Sequence, residues 1–180
     1  ISGDNPEILA AREHLVPVIP RVEMLAELMR MKYSVAVGGT HGKTTTSSLM
    51  AWVLETAGED PGFMIGGVPL NFKENYKLGK GKYFVVEGDE YDTAFFDKGP
   101  KFLHYMPKNA ILTSIEFDHA DIFKDLDHIK EAFRKFVEII PEEKTLLIGC
   151  DFPHALEMRP FARSPAETYG FHPDSNWRAV

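Results

Sequence analysis

The sequence has little cysteine, no cluster of basic residues and no long apolar run, and each of these absences excludes a class of protein. Its single cysteine, Cys150, rules out an internal disulfide and is typical of a reducing compartment. The formal net charge is −7, which argues against a nucleic-acid partner. No apolar run approaches the roughly 18 residues that a membrane helix requires. We therefore expect a cytoplasmic protein with no nucleic-acid partner and no membrane partner.

The spacing of apolar residues divides the chain into a helical lead-in and an alternating body. Residues 1–32 carry apolar residues at helical spacing. From residue 33 onward, short apolar runs typical of buried strands alternate with two helical patterns, over residues 43–57 and 125–140. These runs read SVAV, FMIG, YFVVE, AILTSI and TLLIG. The alternation predicts an α/β fold in which helices flank a mostly parallel sheet.

The second helical pattern has a single apolar stripe, which indicates a helix packed against a core. Asp125 precedes it as a candidate N-cap, and Pro141 follows it as a stop signal. The stripe consists of Leu126, Ile129, Phe133, Phe136, Val137 and Ile140.

A glycine-rich turn, VGGTHGKTTT, joins the first predicted strand to the first predicted helix. The usual phosphate-loop signature places a glycine five positions before Gly42, where this chain has Val37. The features needed to bind phosphate are nevertheless present. They are a backbone made flexible by glycines, a helix N-terminus, a lysine (Lys43) and a hydroxyl (Thr44). Gly38 and Gly39 supply the freedom that the missing glycine would give. The turn therefore predicts a phosphate loop.

Two acidic segments follow two other predicted strands, where an open α/β sheet places its binding site. Carboxylate oxygens are ligands that Mg²⁺ prefers, so these segments could complete a coordination sphere begun by Thr44. They contribute Glu87, Asp89, Glu90 and Asp92 after YFVV, and Glu116, Asp118, His119 and Asp121 after AILT.

Taken together, GTHGKTTT, EGDE and DHAD, in this order, resemble the central ATP-binding domain of the Mur ligases, which build the peptide of the bacterial cell wall. The resemblance implies an ATP-dependent, amide-forming ligase. A carboxylate of UDP-N-acetylmuramate would attack the γ-phosphorus of ATP, and an amine would then displace phosphate from the resulting acyl phosphate. ATP and Mg²⁺ are the implied cofactors.

The same resemblance implies a role for each motif residue. Lys43, Glu87 and His119 would be catalytic, and Lys43 would contact the β- and γ-phosphates. Thr44, Glu87 and His119 would bind Mg²⁺. The residues expected along the triphosphate are Gly39, Thr40, His41, Gly42, Lys43, Thr44 and Thr45.

The resemblance also implies an organisation and a substrate. Residues 1–32 are similar to the end of the family's UDP-sugar-binding domain with its helical linker, and residues 33–180 to its ATP-binding domain, truncated at the C-terminal end. We expect this piece alone to be inactive and to depend on flanking domains of the full-length chain.

The segment EYDTAFFDKGPK resembles the family member that attaches L-alanyl-γ-D-glutamyl-meso-diaminopimelate to UDP-N-acetylmuramate. Attachment of L-alanine instead is an alternative. A kinase or GTPase with a phosphate loop, or a nucleotide-binding module without catalysis, is an alternative of another class.

Overall fold

A computed structural model of the protein describes residues 2–89, 92–94, 97–117 and 123–180. The helices are α1 Pro6–Glu13, α2 Arg21–Arg30, α3 Lys43–Thr56, α4 Phe102–Tyr105, α5 Leu126–Glu138 and α6 Pro153–Leu156, with a 3₁₀ turn at Arg159–Phe161. The strands are β1 Tyr33–Gly38, β2 Gly62–Met64, β3 Tyr76–Lys77, β4 Tyr83–Glu87, β5 Asp92–Ala94, β6 Asp97–Pro100, β7 Asn109–Leu112, β8 Leu146–Gly149, β9 Ala166–Gly170 and β10 Trp177–Arg178. Within the described ranges, no helix has the length and apolar character needed to cross a bilayer.

Eight strands form one sheet in the order β10-β9-β8-β7-β1-β4-β2-β3. All neighbouring pairs are parallel except β2 and β3, which confirms the predicted mostly parallel α/β sheet. β5 and β6 form a separate antiparallel pair. The chain builds the sheet outward from β1, first toward β2 and then, after β4, toward β7 and beyond. The carboxyl end of β1 therefore lies where strand order reverses, which is where open α/β sheets bind ligands.

The apolar stripe of α5 packs as predicted. Phe133, Phe136 and Val137 are fully buried, and Ile129 and Ile140 nearly so, in one cluster with residues of β1, β4, β7 and β8. Asp125 caps the helix, because its carboxylate accepts a hydrogen bond from the backbone N–H of His128.

Strand β7 is shorter than the sequence predicts. The apolar run AILTSI suggests a strand over residues 110–115, but the strand ends at Leu112. Beyond that point, Thr113 and Ser114 turn their hydroxyl and carbonyl groups to the loop after β1. The missing strand residues thus serve the loop instead of the sheet.

The two lead-in helices differ in how they pack. α2 inserts Val22, Leu25 and Met29 into the same apolar cluster as α4 and the sheet. α1 has no buried residue. The second half of the lead-in is therefore part of the same packed body as residues 33–180.

Candidate nucleotide-binding site

The loop between β1 and α3 opens directly onto the start of a helix. Gly42 caps α3 in a left-handed conformation, with φ of 83°, which glycine adopts without strain. No side chain caps the helix, and its first turn contains no acidic residue. The backbone N–H groups of such a first turn lack helical partners and attract anions. The start of α3 therefore has the features of a phosphate site.

Gly39 lets the loop pass very close to the strand beside it. Its φ is 132°, and a Cβ at this position would lie 2.1 Å from the hydroxyl oxygen of Thr113. Such a separation is far below van der Waals contact, so no larger residue fits this backbone path. The sequence motif therefore requires glycine here for two reasons, conformation and space.

Residues after β7 hold the loop in place through hydrogen bonds. The backbone N–H of Thr40 donates to the carbonyl oxygen of Ser114 at 2.8 Å, and that of His41 to the Ser114 hydroxyl at 3.0 Å. The Thr113 hydroxyl donates to the carbonyl oxygen of His41 at 2.6 Å. We call Thr113 and Ser114 the loop clamp. The shape of the loop therefore depends on the loop clamp as well as on the residues of the loop itself.

Further contacts join the loop to Glu116. The Glu116 backbone N–H donates to the Thr40 hydroxyl at 3.0 Å, and the Thr40 side chain is buried. The imidazole Nε2 of His41 lies 3.4 Å from a carboxylate oxygen of Glu116. These contacts give Thr40 and His41 structural roles in the loop, in addition to the phosphate contacts predicted for them.

Lys43 is the first residue of α3, and its side chain folds back over the preceding loop. Its ammonium donates to the carbonyl oxygens of Gly39 at 2.6 Å and of Thr40 at 3.2 Å. The charge is thus held against the backbone of the loop that precedes α3. Thr44 and Thr45 follow on the exposed side of the first turn of α3.

Glu87 reaches the same region from the neighbouring strand. It pairs in register with Val37 of β1, so it ends β4 beside the start of the loop. One carboxylate oxygen accepts a hydrogen bond from the backbone N–H of Gly66 at 2.8 Å. A Cβ on Gly67 would lie 3.1 Å from the methyl group of Thr44. The Gly66–Gly67 turn therefore bridges Glu87 and Thr44, two of the predicted metal ligands.

Lys43 and Glu87 line one cavity of about 430 Å³. The rest of its lining comes from α2, from β2 and the segment after it, from β4 and the segment after it, and from α4: Arg21, Leu25, Met64, Ile65, Gly66, Asn75, Val86, Asp89 and Tyr105. The cavity is large enough for part of a nucleotide and an acceptor group.

His119, the third predicted catalytic and metal-binding residue, lies outside the described residues, as do Asp118, Asp121 and Glu90. Among the residues that are described, no three His, Cys, Asp or Glu side chains come together as a metal site. The predicted site of Thr44, Glu87 and His119 therefore stays a prediction.

The residues present fit ATP and Mg²⁺. The uncapped start of α3 and the Lys43 charge at the loop suit a polyphosphate. The Thr44 hydroxyl and the Glu87 carboxylate offer the hard oxygen ligands that Mg²⁺ takes together with phosphate oxygens.

Sequence reasoning missed the loop clamp and the Gly66–Gly67 turn. The paired glycines directly after an apolar run were a usable signal for a close backbone approach. Thr113 and Ser114 gave no such signal, because they extend an apolar run and read as the end of a strand.

Comparison with known proteins gives two family matches. The family model described as Mur ligase middle domain matches residues 37–180. The model described as Mur ligase family, catalytic domain, matches residues 1–33.

Individual proteins are similar over nearly the whole chain. The UDP-N-acetylmuramate–L-alanine ligase of Bordetella pertussis is 46% identical over 97% of this chain and 36% of its own length. The structure of the murein peptide ligase of Psychrobacter arcticus is 33% identical, with a TM-score of 0.84 over 100% of this chain and 41% of that one. The structure of the UDP-N-acetylmuramate:L-alanyl-γ-D-glutamyl-meso-diaminopimelate ligase of Neisseria meningitides is 39% identical, with a TM-score of 0.81 over 94% of this chain and 56% of that one. The chain spans little more than a third of the length of the curated relatives it matches.

Proposed function

We propose a function from one premise: the chain belongs to the Mur ligase family. In this proposal, residues 33–180 bind ATP and Mg²⁺ within a cytoplasmic ligase of bacterial cell-wall synthesis or recycling. That ligase forms an amide bond between UDP-N-acetylmuramate and the amine of an amino acid or peptide. Residues 1–32 are the end of the UDP-sugar-binding domain and its linker.

One observation carries the proposal: Lys43, directly after the predicted phosphate loop, and Glu87 line a common cavity. Lys43 from the start of α3 and Glu87 from the end of β4 both line it. A phosphate loop alone is common to many nucleotide-binding proteins. Here a carboxylate on the neighbouring strand lines the same cavity as Lys43. Such a carboxylate could hold a metal ion that neutralises the charge of a phosphoryl group during its transfer.

The chain's own residues would divide the work as follows. The loop N–H groups and Lys43 would bind and orient the triphosphate, and the loop clamp would keep their positions fixed. Thr44 and Glu87, with His119, would hold Mg²⁺, which supplies positive charge beside the phosphate oxygens. The acceptor carboxylate would be held in the cavity until it is activated as an acyl phosphate, and closure of flanking domains would keep water away from it.

For the amine we propose the tripeptide L-alanyl-γ-D-glutamyl-meso-diaminopimelate. The segment EYDTAFFDKGPK supports this choice, as do the two similar structures, whose names are those of ligases for murein peptide. L-Alanine is the second candidate, and a specific observation favours it: the curated relative that is 46% identical is named as an L-alanine ligase.

Product formation by the full-length protein tests the proposal. The protein is incubated with Mg-ATP, UDP-N-acetylmuramate and either the tripeptide or L-alanine, and both phosphate release and amide product are measured. We expect product with the tripeptide and little with L-alanine; the reverse would assign the second candidate. GTP competing equally with ATP, or phosphate release without an amide product, would favour a kinase or GTPase instead.

A further inference from the structure

The cavity that contains Lys43 and Glu87 is also lined by two side chains for which the proposed function gives no role. These are Tyr105, the last residue of α4, and Arg21, the first residue of α2. Both belong to helices outside the phosphate loop. They therefore offer polar groups to the cavity independently of the nucleotide motif.

Tyr105 is a largely buried residue whose hydroxyl is open to the cavity. The residue is 4% exposed, and its hydroxyl makes no hydrogen bond to a described residue, yet it is not among the fully buried atoms without a partner. A polar group that reaches a cavity without a protein partner is available to a ligand. Burial, aided by the negative charge of Asp89, raises the pKa of the Tyr105 hydroxyl to about 12. At neutral pH the group is therefore a proton donor.

Arg21 brings a positive charge to the same part of the lining. Its exposed guanidinium makes no ion pair or hydrogen bond within the described part of the chain. It lies close enough to Tyr105 to oppose the rise in that residue's pKa. The next residue, Val22, and Leu25 are buried in the same apolar cluster as Tyr105. The two helices are thus packed together, which fixes the backbone positions from which both side chains reach the cavity.

Asp89 also lines the cavity, but its negative charge is offset. The ammonium of Lys101 lies 2.7 Å from a carboxylate oxygen of Asp89. A guanidinium and a neutral phenol, beside a carboxylate that already has a cation, form a set of donors suited to an oxyanion.

We propose that Tyr105 and Arg21 form an oxyanion subsite that binds the carboxylate-bearing acceptor of the ligase. The inference rests on the proposed function and names two residues that would hold the acceptor for that reaction. ATP already has its own donors in the loop and Lys43. The acceptor must be held within about 3–3.5 Å of the phosphoryl group, and hence in the same cavity. α2 and α4 are the described helices, other than α3, that supply donors there.

The test uses the full-length protein with the variants Tyr105→Phe and Arg21→Gln. Tyr33→Phe, at the opposite end of β1, and Arg30→Gln, at the far end of α2, are the matched controls. KM for UDP-N-acetylmuramate and for ATP is measured for each, together with calorimetric dissociation constants for each ligand alone. Because each variant removes a hydrogen bond to a charged group, we expect acceptor KM and Kd to rise about tenfold or more. Values for ATP should stay within about twofold, and both controls should match the parent.

The outcomes separate the subsite from the function on which it rests. Weaker ATP binding with unchanged acceptor binding would overturn the inference, because the groups would then serve the nucleotide. Variants that match the parent for both ligands would also overturn it, while leaving the ligase function intact. A parent protein that makes no amide product would instead overturn the proposed function. If Tyr105→Phe fails to fold, Arg21→Gln still tests the inference. The Arg21 side chain is exposed, so its replacement should not prevent folding.

Discussion

The hydroxyl of Thr113 donates a hydrogen bond of 2.6 Å to the carbonyl oxygen of His41, across 72 positions of sequence. Through this bond, and through those of Ser114, residues that follow β7 hold the predicted phosphate loop in shape. The geometry of the loop is therefore a property of two neighbouring strands and does not belong to the glycine motif alone.

Replacing Thr113 with valine should loosen the loop while leaving the sheet intact. Valine keeps the shape of threonine but cannot donate to His41, so we expect a loss of about 1–2 kcal/mol in unfolding free energy. ATP affinity should fall several-fold as well. Chemical denaturation and calorimetric titration of ATP measure the two effects. Thr168→Val is the control, because it removes another buried hydroxyl, that of Thr168 in β9, which donates to the side chain of Asn176. Equal ATP affinities in the two variants would contradict a role for the clamp in nucleotide binding.

Gly39→Ala should abolish ATP binding. The new Cβ would lie 2.1 Å from the Thr113 hydroxyl oxygen, so either the loop or β7 would have to move. Gly58→Ala separates this clash from backbone strain, because Gly58 also has a positive φ, 78°, but has open space around it. The control should lose about 1 kcal/mol of stability and keep its ATP affinity. If the Gly39→Ala variant binds ATP as the parent does, the loop can take another path.

Lys43→Ala should remove most of the ligase activity of the full-length protein. Loss of the charge over the loop should slow the reaction about 10²-fold or more. Lys43 is not part of an apolar cluster, so the melting temperature should change little. Lys130→Ala, which breaks a partly exposed ion pair with Glu157, is the control and should keep full activity. Activity of the Lys43 variant within about threefold of the parent would refute its assigned role.

Glu87 offers a way to separate charge from structure. Glutamine can still accept the hydrogen bond from Gly66 but carries no charge, whereas alanine loses both. If Glu87 binds Mg²⁺, Glu87→Gln should raise the Mg²⁺ concentration for half-maximal activity about tenfold or more without a loss of thermal stability. A double change with His119→Ala should be far from additive, as expected for groups that act together. Additive effects would mean that one of the two residues is structural.

The phenol of Tyr105 should make stability fall at alkaline pH. Its pKa in the folded protein, about 12, exceeds the ordinary value of 10.0, so the unfolded chain loses its proton first as pH rises. The stability that this group contributes below pH 10 is therefore lost between about pH 10 and 12. Relative to Tyr105→Phe, the parent should lose about 1.4 kcal/mol of unfolding free energy by about pH 11. Denaturation curves of both proteins at several pH values measure this difference. The lysines are the same in the two proteins, so the effect of their titration on stability cancels when the curves are compared. Parallel profiles would contradict the raised pKa.

The sequence predicted the parts of the site that lie close together along the chain. Gly39, Gly42 and Lys43 are separated by four positions, and the strand before them and the helix after them both have clear apolar patterns. The alternation of short apolar runs with helical patterns likewise predicted the parallel sheet. Local spacing therefore identified the loop and the strand that carries it.

The other residues of the candidate site could not be predicted from the sequence, because their positions depend on tertiary contacts. Thr113 and Ser114 act on the loop only because β7 pairs with β1, and nothing in their own spacing indicates that pairing. Tyr105 lies in a four-residue helix that the apolar pattern does not predict. Arg21 belongs to α2, whose packing on the sheet its own apolar spacing does not reveal. Each of these residues gains its position from a neighbour distant in sequence.

The loop clamp ties the shape of the loop to assembly of the sheet. The loop and β1 are complete by residue 42, but the residues that hold the loop come more than 70 positions later. Closing so long a separation costs more chain entropy than forming the local contacts of α3. Local contacts alone are enough for helix α3, whereas the loop takes the shape described here only when β7 is paired with β1. The geometry predicted to hold a nucleotide is then a property of the assembled centre of the sheet.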